Sequence, residues 1–234
     1  ALSSAASDVY KRQTATGNDG DNYNQGSGIT DGESASIVGI IKDGTVTNDI
    51  SVTAKGGNGG DDDDRDHPTV MEGSKGGDAF AKVTVDESKN NVTLGSITVK
   101  ATGGMNGSSY QGISQVAGAA AAYGLEVKHD LTITAANIVV SAETSQFCRL
   151  GGVDTGSNER KDVLAVGLQI DSGNVKFSGT GGIENGGIEI DAKNEYHSYY
   201  GDIKMADIKD ALLSDGGDTE AYGIRIVGGQ ADIK

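Results

Sequence analysis

Four segments of the chain place an apolar residue at every second position and end in alanine: Ile50-Ser51-Val52-Thr53-Ala54, Ile97-Thr98-Val99-Lys100-Ala101, Ile138-Val139-Val140-Ser141-Ala142 and Ile188-Glu189-Ile190-Asp191-Ala192. Period-two alternation marks a strand with one buried face, so Ile, Val and Ala point inward while most of the Ser, Thr, Lys, Glu and Asp residues meet water. A second set of alternating segments precedes these: Val38-Gly39-Ile40, Ala81-Lys82-Val83-Thr84-Val85, Tyr123-Gly124-Leu125-Glu126-Val127, Val166-Gly167-Leu168-Gln169-Ile170 and Tyr222-Gly223-Ile224-Arg225-Ile226. With Val38, Ala81, Tyr123, Val166 and Tyr222 taken as equivalent, the steps are 43, 42, 43 and 56 residues. Short pieces such as Leu131-Thr132-Ile133 and Val175-Lys176-Phe177 lie between the two sets, bounded by Asp, Asn and Gly turns.

Each block therefore holds about three short strands and one longer polar excursion, exemplified by Lys55 to Gly77 and Thr102 to Gly118. Three strands cannot bury an apolar face alone, but stacking equivalent strands of successive blocks makes one continuous core and pairs the backbone from coil to coil. The expected fold is all-β, a parallel β-solenoid (β-helix) with Gly-rich loop excursions. A β-sandwich or a string of small β-domains is the alternative, since these also give short strands at regular spacing. Helix is expected only as single turns, at Val116 to Ala122 and Ile208 to Leu213. The long last step predicts an insertion at about 194–218. Gly56 to Gly60 reads as a flexible excursion; it lacks the Lys-Ser/Thr pair and the helix that a phosphate cradle needs.

The 37 glycines, single Pro and absence of Trp agree with short strands and tight corners, because Pro cannot donate to a ladder. No stretch has the length and apolarity of a membrane-spanning helix, the longest small apolar run being Val116 to Tyr123. Residues 3–13, SSAASDVYKRQ, resemble a translated sequencing-library adapter, so residues 1–13 are set aside from fold reasoning. Residues 14–28 are expected as a disordered or loop lead-in, and 29–234 as incomplete solenoid repeats forming an internal slice of a longer protein. Its cut ends, at Ile29 to Ile41 and Ile224 to Ile233, are expected to favour end-to-end self-association. Without the adapter-like segment the chain carries 17 basic and 33 acidic residues, a net charge of −16. Phosphate backbones and anionic bilayers repel such a chain, which argues against nucleic acid as a partner.

The segments Ala122-Tyr123-Gly124-Leu125, Ala165-Val166-Gly167-Leu168 and Ala221-Tyr222-Gly223-Ile224, with the alternating strands that close in Ala and the Gly-Gly excursions, resemble the passenger regions of bacterial autotransporters and related large surface adhesins. The resemblance covers about Ile29 to the end. It implies a structural or adhesive stalk segment at the cell surface, extracellular, anchored to the outer membrane through a C-terminal domain that lies outside this slice. It also implies no catalysis, no direct membrane insertion, and a surface protein or glycan of a host or neighbouring cell as partner. Two other readings are a β-helical polysaccharide-degrading enzyme fragment and a calcium-stabilised secreted repeat protein. The first of these requires acids, an Arg or Lys and aromatics on one strand face of adjacent coils.

The expected ligand-binding residues are Tyr196, Tyr199 and Tyr200, whose rings offer a flat apolar face and a polar tip to sugars or proteins. Asp61, Asp62, Asp63, Asp64 and Asp66 form the densest acidic run and the candidate calcium site, although the run lacks the Gly-spaced pattern of specific calcium loops; no cofactor is otherwise expected. Like charges at this density ordinarily form a solvated stretch. No catalytic residue is assigned. Cys148 has no His near it in sequence, His67, His129 and His197 are widely separated, and pairs such as Glu184/Glu189 and Asp215/Asp218 are expected by chance among 33 carboxylates.

Overall fold

In the computed structural model, the described residues are 12–22, 29–46, 48–61, 74–107, 117–149, 162–179, 187–199 and 218–233, with side chains described through 144 in the fifth segment and through 193 in the seventh. The closing strands are β1 (Arg12–Thr16), β4 (Ile50–Lys55), β7 (Ile97–Thr102), β10 (Asn137–Arg149) and β13 (Gly187–Tyr199). The opening strands are β2 (Ala35–Ile41), β5 (Ala79–Val85), β8 (Ala120–Val127), β11 (Val163–Ile170) and β14 (Thr219–Ile226). Between them run β3 (Thr45–Val46), β6 (Asn91–Leu94), β9 (Leu131–Ala135), β12 (Asn174–Gly179) and β15 (Gln230–Ile233). Each set forms its own five-stranded parallel sheet, ordered as in the chain. This is a parallel β-solenoid with three faces.

The closing strands stack as their pattern predicts. Ile50, Ile97, Ile138 and Ile188 align, as do Val52, Val99, Val140 and Ile190, and then Ala54, Ala101, Ala142 and Ala192. Together with Leu125, Leu131, Ile133, Leu168 and Ile170, the central rungs are fully buried in one core running along the coil axis. In β4 and β7 the alanine rung stands where the chain leaves the sheet for its excursion, whereas β10 and β13 continue past it as paired strand.

Several boundaries differ from those predicted. Lys82, not Ala81, aligns with Val38 and Tyr123, because β8 carries one residue more than β5 and the register shifts there. Gly39 and Gly124, alike in sequence, are thus inequivalent: Gly39 aligns with Val83, whereas Gly124 is the extra residue of a bulge. A Cβ on Gly124 would lie 2.5 Å from a methyl carbon of Ile138, so only glycine fits there. Ala120 to Ala122 are strand rather than helix, since their alternating burial suits a pleat. Residues 208–213 lie outside the described residues. β13 continues to Tyr199 in register with β10, so Asn194 to Tyr199 are strand instead of the start of the insertion. The lead-in also begins in strand: β1 pairs with β4, with Thr14-Ala15-Thr16 beside Thr53-Ala54-Lys55.

The Gly-rich roots of the excursions are a second ordered lattice, contrary to their reading as flexible. Gly56 and Gly59 donate to Thr102 O (2.9 Å) and Met105 O (2.8 Å) of the following coil. Gly57 and Gly60 donate to Glu33 O (2.9 Å) and Thr30 O (3.2 Å) of the preceding return segment. The amides of Asn58 and Asp61 donate to Asp19 Oδ1 (2.7 Å) and Asn22 Oδ1 (2.8 Å). The direction of donation thus repeats every three residues, the period of extended polyproline-II-type backbone, whose hydrogen bonds all go to other segments. Gly104 and Gly107 repeat the pattern toward Gly77 O (2.9 Å) and Ser74 O (2.8 Å). A Cβ on Gly104 would sit 1.9 Å from Gly57 O. Glycine is required here by the closeness of the neighbouring backbones, without any left-handed conformation.

Asx side chains complete the axial pairing. Asp19, Asn22, Asp31, Asp49, Asn58, Asp78, Asp130 and Asp162 each accept from a backbone N–H of the next coil through Oδ1, at 2.7–3.3 Å.

Two predictions follow from this packing. Hydrogen exchange resolved to single amides will show Gly56, Gly57, Gly59 and Gly60 protected well above the free-chain rate, and Gly104→Ala will remove that protection and destabilise the fold by at least about 1–3 kcal/mol. Gln13 aligns with Val52 in the apolar ladder, its Oε1 within 3.8 Å of where a Gly39 Cβ would lie, so Gln13→Val will raise the melting temperature measured by circular dichroism.

A polar and aromatic face on the opening sheet

The candidate site lies on the outer face of the sheet β2-β5-β8-β11-β14. Period-two alternation turns Phe80, Lys82 and Thr84 of β5 away from the core, and the equivalent outward positions of β8 are Ala121, Tyr123 and Glu126. In register with these, β11 presents Leu164, Val166 and Gln169, and β14 presents Glu220, Tyr222 and Arg225. One row along the axis therefore reads Lys82, Tyr123, Val166, Tyr222. The next reads Thr84, Glu126, Gln169, Arg225. In β8, β11 and β14 these two rows are separated by the extra bulge residue, Gly124, Gly167 or Gly223, which the strand register passes over.

Charges on this face are tightly arranged. Glu126 Oε2 accepts from Lys82 Nζ at 2.9 Å and pairs with Lys128 Nζ at 3.2 Å, and only 7% of Glu126 is exposed. Burial alone would raise its carboxyl pKa, but the two lysine contacts outweigh burial and hold it below the usual carboxylate value. Lys82 Nζ also lies 5.6 Å from the centre of the Phe80 ring, and that ring meets Tyr123 at 5.7 Å with a 50° tilt. Desolvation raises the Tyr123 hydroxyl pKa, so the phenol stays a neutral donor and acceptor. The Arg225 guanidinium stands 5.3 Å from the Tyr222 ring centre. Gln169 donates through Nε2 to Asp171 Oδ1 at 2.8 Å, while its buried Oε1 has no hydrogen-bond partner. Val166, fully buried, lies outside the interior cluster and is sheltered on this outer face.

The residues expected from sequence are not among those described on this face. Tyr196 and Tyr199 belong to β13, aligned with Gln146 and Arg149 of β10, and thus sit on a strand rather than on an excursion. Their side chains, and Tyr200 entirely, lie outside the described residues, as do Asp62, Asp63, Asp64 and Asp66. Asp61 follows the Gly-rich root, its amide donating to Asn22 Oδ1. His129 Nε2 bonds with Lys89 O at 2.7 Å, a contact between successive coils. The side chains of His67, His197 and Cys148 are outside the described residues. Glu126, Gln169 and Arg225 went unnoticed in the sequence, although Gly-Leu-Glu, Gly-Leu-Gln and Gly-Ile-Arg put a long polar residue two positions after the glycine in three successive blocks.

No protein-family model matches this chain, and neither the curated proteins nor the solved structures searched contain a match.

The lysine pairing of Glu126 sets a pH dependence. A lowered folded-state pKa stabilises the fold fully above the unfolded value, near about 4.3, and that contribution disappears as pH falls through the folded value. Glu143, beside Lys100 at 2.6 Å and also held low, adds in the same direction. The melting temperature will therefore fall as pH drops from about 5 toward 3, and Glu126→Gln will flatten part of that slope while lowering stability at pH 7.

Proposed function

We propose that the chain is a structural and adhesive segment of the extracellular stalk of a bacterial surface protein, without catalysis of its own. The observation that supports this is the axial uniformity of the solenoid. Every strand in the three sheets stacks only on its counterparts in adjacent coils, and the inward rungs repeat while the outward residues change from coil to coil. Such a body is a spacer whose length is set by coil number and whose surface is free to vary. A protein or glycan on a host or neighbouring cell is its proposed partner, and stacking of open ends is a proposed route to self-association.

The second reading, a fragment of a β-helical polysaccharide-degrading enzyme, gains from the opening-sheet face, where an acid, cations and aromatics meet on adjacent coils. Its weakness is the protonation state of Glu126. A glycosidic general acid needs a raised pKa, and the lysines push Glu126 the other way.

Extending the reading frame from the source DNA beyond both ends tests the stalk. An export signal upstream and a membrane barrel or wall anchor downstream are the expected result. A downstream catalytic domain, or a purified chain that cleaves polysaccharides with loss of activity in Glu126→Gln, would overturn it.

A further inference from the structure

We propose that the opening-sheet face around Gln169 is a binding site for a neutral saccharide. The site begins with an orphan. Gln169 is 9% exposed, its amide nitrogen is committed to Asp171, and its Oε1 is buried without a partner. A buried acceptor left unpaired costs free energy, so such a group in a native fold points to a donor that completes it. The orientation of the amide is fixed by chemistry: the carboxylate of Asp171 accepts only, so nitrogen faces Asp171 and the oxygen is the atom left unpaired.

Around this acceptor stand the components of a sugar subsite. Glu126 and Gln169 are adjacent in one row, and Arg225 follows in the same row. Tyr123 and Tyr222 occupy the neighbouring row, two strands apart, a separation of about 10 Å from the strand spacing. Phe80 packs against Tyr123 and extends the aromatic surface. All three rings keep part of their surface exposed, whereas Glu126 and Gln169 lie deep. Apolar ring faces flanking a few convergent polar groups fit a ligand with a C–H face and hydroxyls at its edge.

Charge selects among saccharides. The deep groups are acceptors, the Glu126 carboxylate and Gln169 Oε1, so the ligand must supply donors. Lys82 and Lys128 are drawn onto Glu126, and the chain as a whole carries −15. Uronic, sialylated and sulfated glycans share the sign of the chain's net charge, while neutral hexose units bring hydroxyl donors without that repulsion. This site is independent of the stalk reading, which stands or falls with the flanking reading frame.

The test is saturation-transfer difference NMR on the whole chain against neutral gluco-, galacto- and manno-oligosaccharides, with sialylated and uronate oligomers and a neutral peptide as comparisons. The expected result is transfer to pyranose ring protons of at least one neutral oligosaccharide, reduced at least tenfold in affinity by Tyr123→Ala and by Gln169→Met. Gln169→Met keeps the side-chain length and removes the acceptor; an unchanged circular-dichroism melt in that variant separates lost recognition from lost folding. The proposal is overturned by absence of transfer from every neutral oligosaccharide, by binding that both variants retain, or by preference for anionic glycans or the peptide.

Discussion

Everything in this molecule depends on pairing backbone groups along the coil axis. In a parallel stack each strand's N–H and C=O groups point at the coils above and below, and a strand that left them unpaired in the interior would lose more than its side chains return. On the three flat faces, parallel ladders meet this demand. At corners and excursion roots, where the backbone leaves the ladder, two other devices take over. Asx carboxyl and amide oxygens reach across one coil to an amide nitrogen, as Asp130 does for Asn174 and Asp162 for Asp218. Glycine segments approach closely enough to hydrogen-bond one another directly, as Gly57, Gly77 and Gly104 do.

This division explains the composition. Part of the surface acidity has a structural role, since the exposed Asp19, Asp31, Asp49, Asp78, Asp130 and Asp162 serve as axial acceptors. The glycines divide in a similar way. Gly173, at φ +89°, makes a corner that other residues adopt rarely, whereas Gly56, Gly57 and Gly104 are needed because any Cβ would strike neighbouring backbone. Two buried hydroxyls reinforce the lattice: Ser74 donates to Gly60 O at 2.9 Å, and Thr144 of the closing sheet donates to Gly118 O at 2.7 Å.

The ladders were legible because period-two alternation is written into single segments: Ile97, Val99 and Ala101 announce their face without knowledge of any partner. The Gly-rich lattice was hidden because its order exists only between segments. Gly56 to Gly60 has no side chains to pattern, and its three-residue period appears when its donors meet Thr102, Glu33 and Asp19 from different coils. The one-residue error at Ala81 has a related cause. A bulge changes the count of residues without changing the alternation on either side, so Val38-Gly39-Ile40 and Tyr123-Gly124-Leu125 look alike while their glycines occupy different positions. The polar row of Glu126, Gln169 and Arg225 was obscured because these residues differ in charge, and only their shared register unites them.

The bulge also explains why this face, among the outer faces, is equipped for recognition. In a regular strand successive outward side chains are two residues apart. From Tyr123 to Glu126, Val166 to Gln169 and Tyr222 to Arg225 the spacing is three, because Gly124, Gly167 and Gly223 intervene. An extra residue increases local twist and re-aims the side chains beside it. Since three consecutive coils carry the bulge at one register, the re-aimed residues form a continuous row rather than an isolated irregularity. The core pays little for this arrangement: Leu125 and Leu168 return inward after the bulge and are fully buried. A fold whose interior is fixed by repetition has thus concentrated its departure from repetition on one outer face, and that is where long polar side chains and aromatic rings converge.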